Sequence, residues 1–330
     1  MWLREAGKRL AVLLLTVAVV VAVASAGPML LSSDDGGDET LQNPEYAPDS
    51  VAPDPLPATG TIDASGADAT TNGTVLIDRG HANRFSRADI EPLVDALIRQ
   101  GFSVEFYDDG DLATRLEAAD VFLVIDPGSE YLPGDVDDVR QFTGNGGHLV
   151  MVGEPDRTAI SSSLLGTSIQ NQESRLTTLA SAYGMSVDTQ YLYNQEHADG
   201  TFKHVVARPT GQGGVDDAER VTMYTAASVT SQQGTVLLRS APNTHKSGSD
   251  EVTGEYPVAV RTENTVLLGD KTFLRGDRYN VADNEVFIAY LVEFMLDGDH
   301  RPAGETEGDA ERTPTATPTE TPTPTPTDGD

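Results

Sequence analysis

The sequence predicts an α/β domain, three layers built on a mostly parallel sheet, with an antiparallel β-rich insertion in its second half. Three observations lead there. From residue 73 to 152, short apolar runs alternate with helical patterns, an order that makes a parallel sheet covered by helices on both faces. Two of those runs, Val121–Ile125 and Leu149–Val152, are continuously apolar, as strands buried on both sides must be. From Thr201 to Val260 the pattern changes to β-branched residues and glycines in short blocks, the composition of antiparallel strands and turns.

Ahead of the domain, residues 1–9 carry Arg4, Lys8 and Arg9, and residues 10–31 are almost wholly apolar or small. Basic flanks stay on the cytoplasmic side, so the rest of the chain is expected outside. Ala24-Ser25-Ala26 has the form of a signal-peptidase site, whereas the run counted through Leu31 reaches the ~20 residues that span a bilayer. Its length favours an uncleaved anchor over a signal peptide. Residues 32–72 are rich in Asp, Gly, Pro, Ser and Thr and read as a disordered acidic linker. At its end Asn72-Gly73-Thr74 is an N-glycosylation sequon.

The domain, 73–299, opens with the strand Thr74–Ile77, closed by Asp78. Ile90, Leu93, Val94, Leu97 and Ile98 then share one helical face, with Asp89 as the expected N-cap, Pro92 in the first turn and Gly101 past the end. Phe102–Tyr107 alternates as a strand, and 135–142 places Val136, Val139 and Phe142 on one helical face. A helix is expected over 173–183 and strands over 202–207, 221–224 and 235–239. A hairpin is expected around Glu263-Asn264, and a closing helix over 284–295. Residues 300–330 form a Thr/Pro-rich tail whose composition favours extended polyproline and disorder.

Composition narrows the function classes. The 330 residues hold 52 acidic and 22 basic side chains, a formal charge of −30, and only four lysines: Lys8, Lys203, Lys246 and Lys271. So acidic a surface repels itself unless concentrated salt screens it, which points to a salt-adapted organism. It disfavours nucleic acid, which needs a basic footprint. Cysteine is absent, so disulfides, thiolate metal sites and cysteine catalysis are excluded.

Ligand sites in open parallel sheets lie beyond the carboxyl ends of the strands. There the sequence places Asp78, Asp126, Glu154 and Asp270, with His81 and Asn83 on the first loop. If the strands are neighbours, these six residues line one crevice. No cofactor is implied, but a divalent cation would suit the oxygen donors. Asp and Gly also end strands routinely, so the same residues read as turn and cap positions. His148 begins a strand, on the opposite edge, and His197, His204 and His245 show no ligand spacing. No phosphate-binding glycine loop and no nucleophile elbow is present; Ser161-Ser162-Ser163 reads as a loop or helix cap.

Val75-Leu76-Ile77-Asp78 with His81, Asn83 and Phe85 resembles the opening of a known family. So do Ala119–Asp126, Gly146–Val152, and Leu268-Gly269-Asp270-Lys271-Thr272-Phe273 followed by Asp283-Asn284. In this order the segments, over about 73–298, resemble the uncharacterised domain of unknown function 4350. The resemblance implies a glutamine amidotransferase-like, flavodoxin-like fold, with gliding-motility transporter accessory domains as relatives. Class I amidotransferases use a Cys-His-Glu triad, but here Asp270-Lys271-Thr272 stands where a His-x-Glu would follow the last core strand. The resemblance therefore implies no catalytic residues. It implies a haloarchaeal, membrane-anchored, non-catalytic binding or scaffold domain of the envelope, with an envelope protein as partner. The alternative is a carboxylate- or metal-dependent hydrolase using Asp78, Asp126, Glu154 and His81.

Overall fold

The computed structural model describes residues 60–64, 73–163 and 166–297. The candidate anchor, Asn72, the tail and most of the linker lie outside the described residues. Among those described, no helix is long and apolar enough to cross a membrane.

Strand β1 (Thr74–Asp78) is a buried apolar run ending on a carboxylate. A 3-10 turn, Arg87–Asp89, leads into α1 (Glu91–Arg99), which buries Leu93, Val94, Ala96 and Leu97. The N-cap is Ile90 rather than Asp89, because the Asp89 carboxylate is taken by the Ser86 backbone N–H and hydroxyl, both at 2.8 Å. Pro92 still falls in the first turn, where its missing N–H has no helical partner to lose. β2 (Ser103–Tyr107) follows, then α2 (Leu112–Glu117), capped by Asp111, then β3 (Val121–Ile125). α3 (Pro133–Gly144) and β4 (His148–Val152) close the first half.

β5 (Arg157–Ser163) and β6 (Gly166–Gln172) pair as an antiparallel hairpin. The serine run is therefore strand, not loop or cap, because its backbone groups pair with Gly166–Ser168 across the hairpin. α4 (Thr177–Ala182) is shorter than the sequence suggests. Its expected first turn is drawn away, with the Arg175 N–H donated to Pro127 O at 2.8 Å.

The second half continues with β7 (Met185–Tyr193), β8 (His204–Pro209), β9 (Val221–Tyr224) and β10 (Ala227–Ser231). β11 (Thr235–Ser240), β12 (Thr244–Lys246) and β13 (Ser249–Gly254) follow. Last come the β14 (Pro257–Arg261) and β15 (Thr265–Leu268) hairpin and α5 (Asn284–Leu296).

Among the described residues the largest sheet has nine strands in the order β2-β1-β3-β4-β15-β14-β11-β8-β9. β2, β1, β3, β4 and β15 pair in parallel, and every pairing from β14 to β9 is antiparallel. Alternate side chains leave opposite faces, so two cores form. Val75, Ile77, Leu123 and Val150 pack with α1 and α5 on one face. Leu76, Phe122, Val124 and Met151 pack with α2, α3 and α4 on the other. His148 fastens α5 to the sheet: its Nδ1 bonds Phe294 O at 2.6 Å and its ring stacks on the Phe294 ring at 4.5 Å.

The large sheet is mixed rather than mostly parallel, because strands of the second half extend it in antiparallel order. Two further features depart from the sequence expectation. Residues 60–64 do not behave as linker, because Ile62 and Ala64 are buried in the first core and Gly60 O accepts the Tyr279 hydroxyl at 2.8 Å. Two apolar side chains suffice to pin this strap within an otherwise polar stretch. The insertion also builds a sheet of its own, β10-β7-β12-β13. That sheet is seated on the carboxyl ends of β4 and β15. The Ala227 N–H donates to Gly269 O at 2.7 Å, and a Cβ on Gly269 would lie 2.1 Å from Ala227 O. Likewise a Cβ on Gly153 would meet Val187 Cγ2 at 2.7 Å.

Gly269→Ala should therefore force the two sheets apart. Chemical unfolding of the full chain in molar KCl is expected to show a loss of about 1–3 kcal/mol, the usual cost of overpacking a rigid contact. Gly134→Ala, where nothing lies within 4 Å, should stay within about 0.5 kcal/mol of wild type.

Candidate functional site

Because β1, β3, β4 and β15 are consecutive in the sheet, their carboxyl ends bring Asp78, Asp126, Glu154 and Asp270 to one edge, as the sequence anticipates. The edge is closed rather than an open crevice: these residues are exposed by 0, 2, 3 and 0 %, respectively. Loops and the small sheet cover it, and each carboxylate has its own partners.

Asp78 is held by three donors. The Tyr131 hydroxyl donates to Oδ2 at 2.5 Å, His81 Nδ1 to Oδ1 at 3.0 Å, and the Gly80 N–H to Oδ1 at 3.1 Å. The His81 ring stacks on Tyr131 with centroids 3.7 Å apart, and its Nε2 faces Asp135 Oδ2 at 3.8 Å. Burial pulls the His81 pKa down, but Asp78 and Asp135 together outweigh it and raise it above its ordinary 6.5. Full burial, then Asp78, push the Tyr131 hydroxyl well above its usual value, so it stays a donor. Asn83 is a loop-fixing residue: its Oδ1 accepts the His81 N–H and its Nδ2 donates to Ile125 O at 3.0 Å.

Asp126 stands at the end of β3 with φ of 43°, a left-handed conformation that Asp tolerates better than most residues. Backbone bonds hold it there, from its own N–H to Val152 O at 2.8 Å and from the Arg84 N–H to its carbonyl at 3.0 Å. Its carboxylate is gripped by Arg84 through both Nε and a terminal nitrogen, and by Lys271 Nζ at 2.5 Å. Lys271 Nζ also donates to Arg84 O, tying the first and last loops of the edge together.

Glu154 accepts the Lys271 N–H at 2.8 Å and a guanidinium N–H of Arg157. Asp270 accepts the Tyr224 N–H at 2.8 Å and the Thr272 N–H at 2.9 Å. Burial, then the neighbouring Asp270 charge, raise Glu154 well above the usual carboxylate range, and burial raises Asp270 despite its two backbone donors. The two acids are a buried like-charge pair that favours retaining a proton.

Of the six residues singled out in the sequence, Asp78 and His81 meet directly, and Asn83 supports their loop. Asp126, Glu154 and Asp270 bind other groups. Among the described residues no three His, Asp or Glu side chains are grouped to hold a metal ion. Sequence reasoning missed Tyr131, Arg84, Asp135 and Arg157 as partners. Lys271 carried a usable signal, since a lysine in so lysine-poor a chain directly follows the strand-end acid Asp270.

In sequence, residues 92–292 match the family described as domain of unknown function (DUF4350). The chain belongs to the DUF4350 family. The match spans the helix after the first loop to the closing helix, so it takes in every strand-end carboxylate except Asp78. No curated protein matches this DUF4350 chain. Among solved structures, the mmIFT52 N-terminal domain is similar at 12 % identity, over 69 % of this chain and 99 % of that one, with a TM-score of 0.52. That likeness is one of fold. A ThuA-like protein from Bacteroides uniformis covers 68 % of the chain and 91 % of its own at 13 % identity and a TM-score of 0.41. A cytoplasmic protein of Salmonella typhimurium covers 67 % and 98 % at 12 % identity and a TM-score of 0.43.

Two titrations follow from the edge of this DUF4350 domain. NMR of the full chain should place the His81 ring pKa above 6.5, and Asp78→Asn should lower it by removing its closest charge. The stability that His81 contributes is complete below 6.5 and fades as pH rises through the raised folded value. The acid pair acts in the same direction. A folded pKa above the unfolded 4.5 means that stability present in acid is lost as pH climbs through the folded value. Glu154→Gln keeps an oxygen for the Lys271 N–H and removes the charge. Its unfolding free energy should fall less steeply with rising pH than wild type, by up to about 1.4 kcal/mol per unit. Equal slopes would remove Glu154 as the titrating group.

Proposed function

We propose that this chain is a non-catalytic binding or scaffold domain of the cell envelope, exported and held at the membrane by residues 10–31. The α/β domain, 73–299 with the strap at 60–64, then faces outside, between a linker that carries a candidate glycan at Asn72 and the Thr/Pro tail, 300–330. The observation that carries this reading is the saturation of the strand-end carboxylates by groups of the chain itself. Asp126 is neutralised by Arg84 and Lys271, and Asp270 is spent on two backbone N–H groups. A general base or a metal ligand needs a lone pair aimed at substrate, and these are aimed inward. The absence of any cysteine removes the nucleophile of the amidotransferase-like, flavodoxin-like relatives that the segment order resembles. The acidic composition supports a haloarchaeal origin, and the outward tether supports an envelope protein as partner.

One contact favours a second reading, a carboxylate- or metal-dependent hydrolase. Asp78 grips His81 through Nδ1 and leaves Nε2 facing only Asp135, at 3.8 Å, the arrangement that prepares an imidazole as a general base.

Calorimetric titration of the full chain with Ca²⁺, Mg²⁺, Mn²⁺ and Zn²⁺ in molar KCl, beside Asp78→Asn, separates the two. The scaffold reading expects no stoichiometric binding that depends on Asp78. Binding at one equivalent that Asp78→Asn abolishes would put the hydrolase first.

A further inference from the structure

On the small sheet, away from the strand-end acids, the chain collects aromatic rings around a lysine. On β7 Leu192 is buried in the core, while its neighbours Tyr191 and Tyr193 are half-buried on the opposite side of the strand. His245 lies opposite Tyr193 in the β7–β12 register, and the two rings stack at 4.9 Å. The Phe202 ring meets Tyr193 edge-on at 6.0 Å and is 48 % exposed. It is the one aromatic among the exposed large apolar residues described; Ile98 and Leu132 are aliphatic. Lys203 Nζ stands 4.8 Å from the centre of the Tyr191 ring and 5.8 Å from that of Phe202.

The charge on Lys203 is the notable part. Acids outnumber bases 52 to 22, yet among the described residues Lys203 is in no ion pair; its charge is met only by ring faces. Lys246, close by, is neutralised by Asp188 at 2.5 Å. Glu196 of the adjoining loop instead accepts from Asn243 Nδ2 at 2.8 Å. The patch thus offers a cation held only by ring faces on an otherwise repelling surface, beside the exposed Phe202 ring and two tyrosines.

The position of the patch decides what it can take. It lies on the face of β7 and β12, which are inner strands of the order β10-β7-β12-β13. A peptide therefore cannot extend the sheet there by strand addition. A ring ligand needs no strand edge. The C–H bonds of a sugar carry partial positive charge and settle on the negative face of an aromatic ring, while its hydroxyls reach the polar rim. An acidic sugar would add a carboxylate or sulfate for the lysine.

We propose that Tyr191, Tyr193, Phe202, His245 and Lys203 form a binding site for an anionic saccharide, with the rings as platform and Lys203 as the acid-recognising group. This site is independent of the reading of the strand-end carboxylates.

The test is calorimetric titration of the full chain with tetragalacturonate in 1 M KCl, where long-range repulsion is screened. Maltotetraose serves as the neutral control and tetraglutamate as the peptide control. Saturable binding of tetragalacturonate is expected, at least tenfold tighter than either control. Phe202→Ala and Lys203→Gln should each weaken it tenfold or more with unfolding midpoints unchanged, and Lys203→Arg should retain it. No binding of tetragalacturonate, or equal binding by both variants and wild type, would overturn the proposal. Maltotetraose bound as tightly would remove the acid-recognising role of Lys203, and tetraglutamate bound as tightly would reassign the patch to acidic peptides.

Discussion

Burying four carboxylates along one sheet edge is the constraint from which most of the local architecture follows. A charged group taken out of water is tolerated only when donors or an opposite charge replace the lost solvent, or when it keeps a proton. Each strand end meets that requirement differently. Asp78 recruits a phenol and an imidazole, Asp126 two cations, Asp270 two backbone N–H groups, and Glu154 one of each kind. These partners come from the first loop, the loop before α3, the start of β5, the end of β9 and the last loop. The acids thus act as the junction for segments far apart in sequence. Breaking one such contact leaves a buried charge without compensation, which costs more than the contact itself contributes.

The small sheet belongs to the same arrangement. It reaches the edge only because Gly153 and Gly269 have no side chains where Val187 and Ala227 approach. With a side chain there, the second sheet would stand off and water would enter the carboxylate row. The glycines after β4 and β15 are thus spacing elements for a layer contact, and their turn-forming role is secondary.

The parallel half was plain in the sequence because its signal is local. Continuous apolar runs in β3 and β4 and the 3.6-residue repeat of α1 need no knowledge of what they touch. The strand-end acids were equally visible, since a carboxylate after an apolar run is a fact of order. Their partners were not. Tyr131 lies 53 residues from Asp78 and Lys271 lies 145 from Asp126, and no periodicity links such pairs. The serine run misled for a related reason: three small polar residues carry no apolar alternation, and only pairing with β6 makes them strand. Ile62 and Ala64 were hidden by their neighbours, two apolar residues in a polar tract that composition averages away.

The strap at 60–64 has a mechanical consequence. Among the described residues, a pull from the N-terminal side meets Gly60 first, whose carbonyl is held by the Tyr279 hydroxyl, and then Ile62 and Ala64 in the core. Thr61 and Asp63 share a hollow with Tyr290 and Glu293 of α5, so the strap runs beside the last of the described helices. Load entering at one terminus would spread into the packing around α5 before it reached β1. The parallel strands, and the acid row they carry, would be shielded from tension until the strap itself gave way.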